Sequence, residues 1–386
     1  MTVQEIAPDV FRFAGWLSDN WATETPYCNT YLLRQGDDLV IYDTGAFRDI
    51  RQRMLESIAS YQERCRGLYV VLGHAHYDHC GNNDILEELP FAEKHLLVAE
   101  PGIARLDVLA ADRAGVLEEM AYYDVFAHFP FRILRLANRI SPRLALALRG
   151  WAVARAWKGV KPMPHLAEPL RLDQCQTFAF GDVQFQGWRL GNLYLFYDGA
   201  HVPEHCCLFD PERRLLLVGD LTVEVNPEGT VSSLSALIDY CDRFARMAAQ
   251  GHVEVVGDGH RSEVTFRQLF AKYRQEYGVE PFGESQLADV VNGKDMAVEF
   301  FQGFRDYYAS LRDAVISAHE RLGIASVEAI AAALAEVDSP ALRLKRALEL
   351  PRFPSLIRGC VTSVLKDRGC RRIQRGKEVL FEPASG

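Results

Sequence analysis

The most constraining feature of this sequence is a six-residue stretch with four potential metal ligands, His74, His76, Asp78 and His79. The stretch directly follows residues 68–72, an apolar run that predicts a buried strand. Only 11 histidines occur in the 386 residues, so three of them in one short window are poorly explained by chance. Proteins with α/β layers place their chemistry on turns at the carboxyl ends of buried strands. The sequence therefore predicts a metal site on this turn.

Short β-type runs alternate with helical patterns on both sides of this turn, which predicts an α/β fold. A helical pattern occupies residues 49–64 and another residues 233–249. The predicted strands are residues 9–13, 30–33, 39–42, 68–72, 177–186 with a turn at 181–182, 193–197, 206–209, 215–218 and 253–256.

Imidazoles accompanied by a few carboxylates favour particular metals. Neutral imidazole suits Zn²⁺, Fe and Mn²⁺, whereas Mg²⁺ and Ca²⁺ prefer oxygen ligands. Two metals about 3.5–4 Å apart need a shared oxygen ligand, a role that suits a carboxylate such as Asp220. Such a pair lowers the pKa of a bridging water towards ~7 and polarises the bond under attack. The reaction class that follows is metal-assisted hydrolysis.

Five motifs occur in the order Asp43-Thr-Gly, His74-x-His-x-Asp-His, His201-x-x-x-His205, Gly219-Asp220 and Gly259-His260. In this order they resemble the metallo-β-lactamase superfamily over about residues 8 to 265. The resemblance implies an αβ/βα sandwich with the ligands on loops at one edge of two facing sheets. It assigns the first metal to His74, His76 and His201, the second to Asp78, His79 and His260, and the bridging position to Asp220.

The resemblance implies that Asp43 orients the histidine loop, and His205, if it is not a ligand itself, either orients a ligand or is a core histidine. The third-histidine motif departs from many relatives, which have Pro-Gly-His or Gly-His followed by small residues, because here it reads Gly199-Ala200-His201. Either His201 or His205 could therefore be the ligand. We prefer His201, which stands where the first histidine of the motif belongs.

The aspartate at position 220 helps to indicate which branch of the superfamily the sequence resembles. Antibiotic-hydrolysing members have a cysteine there and do not use the position of His79 as a ligand. The sequence looks closer to the glyoxalase II, lactonase and quinolone-response thioesterase group. We predict a dinuclear metal-dependent hydrolase of an ester, thioester or lactone that has an apolar part and an anionic group, with Asp78 and Asp220 as catalytic carboxylates. The predicted cofactor is two divalent ions, with Zn as the first choice and Fe or Mn as alternatives.

The sequence leaves other functions open. The alternatives are a phosphodiesterase, which could act on nucleic acid, a di-iron redox enzyme or oxygenase, and a metal-bearing regulator.

The sequence pattern from about residue 102 to residue 165 predicts a helical insert rich in large apolar side chains. Within it, residues 131–161 contain eight arginines and lysines and no acidic residue. Such a segment can hold an anionic substrate, contact an anionic membrane surface, pair with the protein's own acidic face or remain a solvated helix face. As substrate contacts we name Arg132 and Arg135 in the insert and Tyr77 in the histidine loop.

A soft boundary near residue 283 divides the chain into a catalytic domain, residues 1–282, and a C-terminal domain, residues 283–386. The second has helical patterns at 297–322, 326–335 and 354–368 and a hairpin at 370–373 and 379–382, the plan of a winged helix. That plan suits DNA, a protein partner or a second copy of the chain. A net charge of −9 disfavours general nucleic-acid binding, so the predicted partner is a small-molecule substrate.

The location is predicted from features that the sequence lacks. The N-terminus has no signal-peptide pattern, and no run of roughly 18 apolar residues occurs. The nine cysteines include no C-x-x-C pair and no regular framework, which suits reduced thiols. These features predict a cytoplasmic protein.

Overall fold

The computed structural model of the chain describes residues 3–15, 28–46, 48–106, 114–129, 131–156, 159–222, 229–260, 274–275, 278, 283–337, 339, 341–343 and 356–384. Two seven-stranded sheets and a two-stranded hairpin form its β structure. None of the described helices has the length and hydropathy needed to cross a bilayer.

The first sheet has its strands in chain order, β1 to β7. The strands β1 to β4 are antiparallel to their neighbours, whereas β4 to β7 run parallel. Their bounds are Val3–Ala7, Val10–Phe13, Thr30–Gln35, Asp38–Tyr42, Gly67–Val71, Glu93–Ala99 and Ala167–Leu170. The first and the last two of these strands were not predicted from the sequence.

The second sheet has the order β14-β13-β12-β11-β10-β9-β8. All neighbours are antiparallel except β12 and β13. The strands β8 to β14 span Gln176–Phe180, Val183–Leu190, Leu193–Tyr197, Cys206–Asp210, Leu215–Leu217, Val255–Gly257 and Val290–Asn292. The hairpin consists of β15, Arg371–Arg375, and β16, Glu378–Glu382.

Helices flank both sheets. In chain order α1 to α12 are Arg48–Ala59, Tyr77–Cys80, Ile85–Glu88, Glu100–Leu106, Ala114–Tyr122, Arg132–Ile140, Pro142–Ala156, Leu234–Ala249, Glu284–Leu287, Lys294–Leu322, Val327–Ala335 and Leu356–Asp367. Ser233 begins α8 as predicted, since its side chain accepts a hydrogen bond from the backbone N–H of Ala236.

The alternation of side chains along each strand creates three apolar layers. Tyr31 and Val40 of the first sheet face Leu195 and Leu208 of the second between the two sheets. The opposite face of the first sheet packs on α1, and that of the second packs on α8 and α10. This helix–sheet–sheet–helix order, together with the helical insert and the helical C-terminal region, confirms the predicted fold class.

Parallel strands place the carboxyl ends of both sheets at one edge of the sandwich. The strands β4 and β5 end there in the first sheet, and β12 and β13 end there in the second. Since β11 is antiparallel to β12, the loop before β11 reaches the same edge. All the predicted ligand motifs follow these strand ends or lie in that loop, so topology alone gathers them.

The predicted domain boundary near residue 283 lies just before elements that belong to the sandwich. The strand β14 pairs with β13, and α10 packs along α8 within one continuous core. The later α11, α12 and hairpin have the order predicted for a winged helix. The division of the chain into two domains stays a prediction, but residues 290–322 complete the second layer.

The insert packs against the C-terminal elements. The Tyr123 ring stacks on Phe381 of the hairpin with centroids 5.4 Å apart. The backbone N–H of Arg372 donates to the Tyr122 hydroxyl at 3.0 Å, and His128 pairs with Glu328 at 3.1 Å. The start of the insert and the C-terminal region therefore hold each other in place.

Truncating Phe381, which is fully buried, should test this packing. We expect Phe381→Ala to lower the free energy of unfolding by about 3–5 kcal/mol, because it removes a stacked ring from the joint between the insert and the hairpin. The control Phe131→Ala, at a half-exposed ring, should change it by less than about 0.5 kcal/mol. Denaturant unfolding of both variants measures this, and equal effects would contradict the packing role.

Candidate metal centre

Four predicted ligands form one compact group at the shared edge of the sheets. The ligand atoms of His74, His76, His201 and Asp220 all lie within 4.8 Å of one another. Nε2 of His74 is 2.8 Å from Nδ1 of His76. The Oδ2 atom of Asp220 lies 3.6 Å from Nε2 of His74 and 3.4 Å from Nε2 of His201. Three imidazoles and a carboxylate thus converge as a metal site requires.

A second group, Asp78, His79 and His260, lies beside the first. Nε2 of His260 is 3.1 Å from Oδ2 of Asp78 and 3.2 Å from Nε2 of His79. Asp220 also reaches this group, because its Oδ1 is 3.3 Å from Nε2 of His79 and its Oδ2 is 3.5 Å from Nε2 of His260. One carboxylate therefore contacts both groups.

The polar atoms at this edge fit a bound cation. Both ring nitrogens of His201 and Nδ1 of His260 are buried without a hydrogen-bond partner among the described residues. Unpartnered buried polar atoms are costly, and a metal ligand bond removes that cost. Burial lowers the pKa of His201 to about 4 and those of His74 and His76 well below the usual value. These rings are neutral at pH 7, the form that binds metals.

In the second group the pKa values of the histidines are shifted in the opposite direction. Burial opposes protonation of His79 and His260, but Cys28 and nearby carboxylates at His79, and Asp220 and Asp78 at His260, outweigh it and raise the pKa of each ring well above its usual value. Burial likewise opposes ionisation of Asp220, yet His79 and His260 hold its pKa well below the usual range. An ionised, buried carboxylate needs positive charge beside it, which divalent cations can provide.

Asp43 contacts the histidine loop at two points. It follows β4 in the left-handed region, with φ of 59°, which aspartate tolerates better than most residues. One carboxylate oxygen accepts the Gly73 N–H at 2.8 Å, and the other is 2.8 Å from Nδ1 of His79. The bond leaves Nε2 of His79 directed at the metal groups, as ligating imidazoles require.

The structure separates the roles of the two histidines between β10 and β11. His201 faces the first ligand group, whereas Nδ1 of His205 lies 2.7 Å from Asp198 and its Nε2 accepts the backbone N–H of Asp220 at 3.0 Å. Both nitrogens of His205 are therefore engaged, and the ring holds the Asp220 turn. Asp198 was missed in the sequence, although its position next to the Gly-Ala-His motif could have indicated it.

Two glycines allow the ligand loops to approach closely. Gly219 has φ of +50°, and a Cβ there would lie 2.8 Å from Nε2 of His205. A Cβ at Gly259 would lie 2.3 Å from Oδ1 of Asp220. These motif glycines are thus needed for the position of the shared carboxylate.

Two further residues of the site were missed by sequence reasoning. Asp258 accepts the His260 N–H at 3.0 Å and the Thr222 hydroxyl at 2.6 Å. Cys28 lies with Asp43 and His79 in one group of potential ligands, but burial raises the pKa of its thiol. No motif surrounds Cys28, so only the fold brings it to the site.

The proposed substrate contacts lie outside the ligand groups. Tyr77 is half-buried at the start of α2, between two ligands in sequence. Arg132 is exposed on α6, and Arg135 donates to the Phe129 carbonyl at 2.7 Å. Their role in binding a substrate stays a prediction, as does the assignment of the seven metal ligands.

A comparison with protein families matches the part of the chain that contains the first two motifs. Residues 24–108 match the family described as the metallo-beta-lactamase superfamily, which confirms the resemblance over those residues without fixing the branch. A search of curated proteins found no match.

Solved structures share the fold at low sequence identity. A metallo-beta-lactamase family protein from Thermus thermophilus aligns with a TM-score of 0.52 and 15% identity, over 98% of this chain and 100% of that one. A beta-lactamase domain protein from Burkholderia ambifaria gives 0.52 and 17%, over 99% and 93%. A double mutant of the sec-alkyl sulfatase PisA1 gives 0.50 and 15%, over 95% of this chain and 50% of that chain.

A methyl group at Gly259 should disturb the shared carboxylate. We expect Gly259→Ala to weaken Zn²⁺ binding by about 10- to 100-fold, because its Cβ would displace Asp220. Calorimetric titration of the metal-free protein measures this. The control is Gly191→Ala, at a turn with φ of +59° where a Cβ meets no atom within 4 Å; its backbone strain lies outside the ligand groups, so it should bind metal as the parent does. Unchanged affinity in Gly259→Ala would show that Asp220 is not a ligand.

Proposed function

We propose that this chain, which matches the metallo-β-lactamase superfamily over residues 24–108, is a dinuclear metal-dependent hydrolase of an ester, thioester or lactone. The observation that carries the proposal is the position of Asp220, whose two oxygens lie 3.3–3.6 Å from nitrogens of His74, His79, His201 and His260. A carboxylate shared by two ligand groups is what a metal pair requires.

The residues of the site would hold the two metal ions in two groups that share one carboxylate. His74, His76 and His201 would hold one ion, Asp78, His79 and His260 the other, and Asp220 both. When bound, such a pair activates water and polarises the bond under attack. Zn is our first choice, with Fe or Mn as alternatives, because the donors are nitrogen and carboxylate oxygen.

The way into the site is indicated by burial. His74, His79, His201, Asp220 and His260 are all buried. His76, Tyr77 and Asp78 are only partly buried, so a substrate would approach from the His76–Asp78 side. The Asp78 carboxylate there is ionised at neutral pH, because His79 and His260 lower its pKa against the effect of burial. We assign to Asp78 the role of accepting a proton from the attacking water.

A fixed cation near this side supports a substrate with an anionic group. Arg105 on α4 pairs with the buried Glu204 at 3.2 Å, and its guanidinium remains partly exposed. After burial and the nearby His201, the charge of Arg105 is a further cause of the lowered pKa of His76. A guanidinium at the entrance suits a carboxylate or phosphate group of the substrate.

The test combines metal analysis with a substrate panel of p-nitrophenyl esters, acyl thioesters, lactones, a secondary alkyl sulfate and bis-p-nitrophenyl phosphate. We expect two metals per chain and turnover of acyl substrates, lost on chelation and restored by Zn²⁺. Hydrolysis of the phosphodiester alone, with steep salt dependence, would overturn the acyl assignment. Two irons without hydrolysis would overturn the hydrolase itself.

Removing the shared carboxylate should abolish metal binding without unfolding the protein. We expect Asp220→Asn to lose metal and to lower kcat/KM by more than about 100-fold while thermal unfolding stays cooperative, because amide oxygen carries no charge to hold two cations. The same substitution at exposed Asp313 is the control and should retain both. A variant with both metals in place would show that Asp220 does not bridge them.

A further inference from the structure

The second half of the insert presents an apolar surface to solvent. On α6, Ile133, Leu136 and Ile140 are 63%, 59% and 71% exposed, and on α7, Leu144 and Trp151 are 41% and 63% exposed. We call these five side chains the apolar stripe. Single exposed apolar residues are ordinary, but five large ones on two helices that pack against each other make a candidate interaction surface.

The stripe follows from helical periodicity. Ile133, Leu136 and Ile140 recur at i, i+3 and i+7 and so share one face of α6. The other face carries Leu134 and Ala137, which are buried in the core around the second sheet. The helix is therefore anchored by one apolar face and displays a second.

The same two helices carry exposed arginines without an ion pair among the described residues. Arg132, Arg139, Arg143 and Arg155 are exposed and form no ion pair with a described carboxylate. Other exposed arginines are paired, such as Arg171 with Asp173 and Arg246 with Asp182. Residues 131–161 hold eight basic and no acidic side chains in a chain of net charge −9. The positive charge is thus concentrated where the apolar residues are exposed.

We propose that α6 and α7 dock the protein on an anionic phospholipid surface. Exposed aliphatic residues and a tryptophan bordered by arginines are what an interfacial helix presents to a bilayer. The Arg155 guanidinium lies 5.8 Å from the centre of the Trp151 ring, so cation and indole can enter the headgroup region together. A second copy of the chain fits this surface less well, because arginines of the two copies would face each other. Nucleic acid also fits less well, because it would leave the apolar stripe exposed to solvent.

The pair would lie on the membrane and not cross it. The two helices have 9 and 15 residues, fewer than the roughly 20 that span a bilayer. The ligand groups belong to other elements, so binding to vesicles can be measured independently of the proposed hydrolysis.

Co-sedimentation of the full chain with vesicles tests the proposal. We expect binding to vesicles of phosphatidylcholine mixed with phosphatidylserine, weak binding to phosphatidylcholine alone, and release by salt. Arg139→Glu with Arg143→Glu should reduce partitioning at least about tenfold, and Leu136→Ser with Ile140→Ser should do so as well. Arg189→Glu and Leu172→Ser, at exposed sites outside the insert, are the matched controls and should bind as the parent does.

Two further measurements keep the result interpretable. Circular dichroism melting should show that the double variants fold as the parent does. Trp151 fluorescence, obtained as the difference from Trp151→Phe, should shift to the blue on vesicle binding. Equal binding to both vesicle types, no binding, or a parent dimer that Leu136→Ser with Ile140→Ser converts to monomers would overturn the proposal. The last outcome would make this face an interface between copies.

Discussion

The site depends on one buried charge, the carboxylate of Asp220 among four imidazoles. Its pKa is held well below the usual range although the side chain is 3% exposed. A charge in that position is stable only if positive charge and hydrogen bonds surround it. The fold meets this condition by bringing together the ends of two parallel strand pairs, β4 with β5 and β12 with β13.

Each loop that carries ligands is fixed by a further carboxylate. Asp43 accepts the N–H of Gly73, Asp198 that of Ala200 at 2.9 Å, and Asp258 that of His260. The same three side chains also bind His79, His205 and Thr222, respectively. This repeated arrangement holds each ligand loop by hydrogen bonds within the protein itself, and such bonds limit the conformational entropy that metal binding would cost.

The outer elements have a different role. The start of the insert is joined to the C-terminal region by the Tyr123–Phe381 stack and the His128–Glu328 pair. The following helices then present their arginines and apolar stripe outwards from a supported base. The basic and apolar side chains are therefore concentrated on α6 and α7, although the chain as a whole is acidic.

Most strands and helices, and the cluster from His74 to His79, could be predicted from the sequence, because periodicity and residue type are local properties. His201 and His260 were assigned through the resemblance of the motif order to a known family. Only the tertiary structure decided that His205 holds the Asp220 turn, since this depends on Asp198 and on a backbone N–H 15 residues away. It also placed β14 in the second sheet and Cys28 beside His79. These outcomes rest on contacts between distant segments, and no local pattern encodes which distant segment will be adjacent.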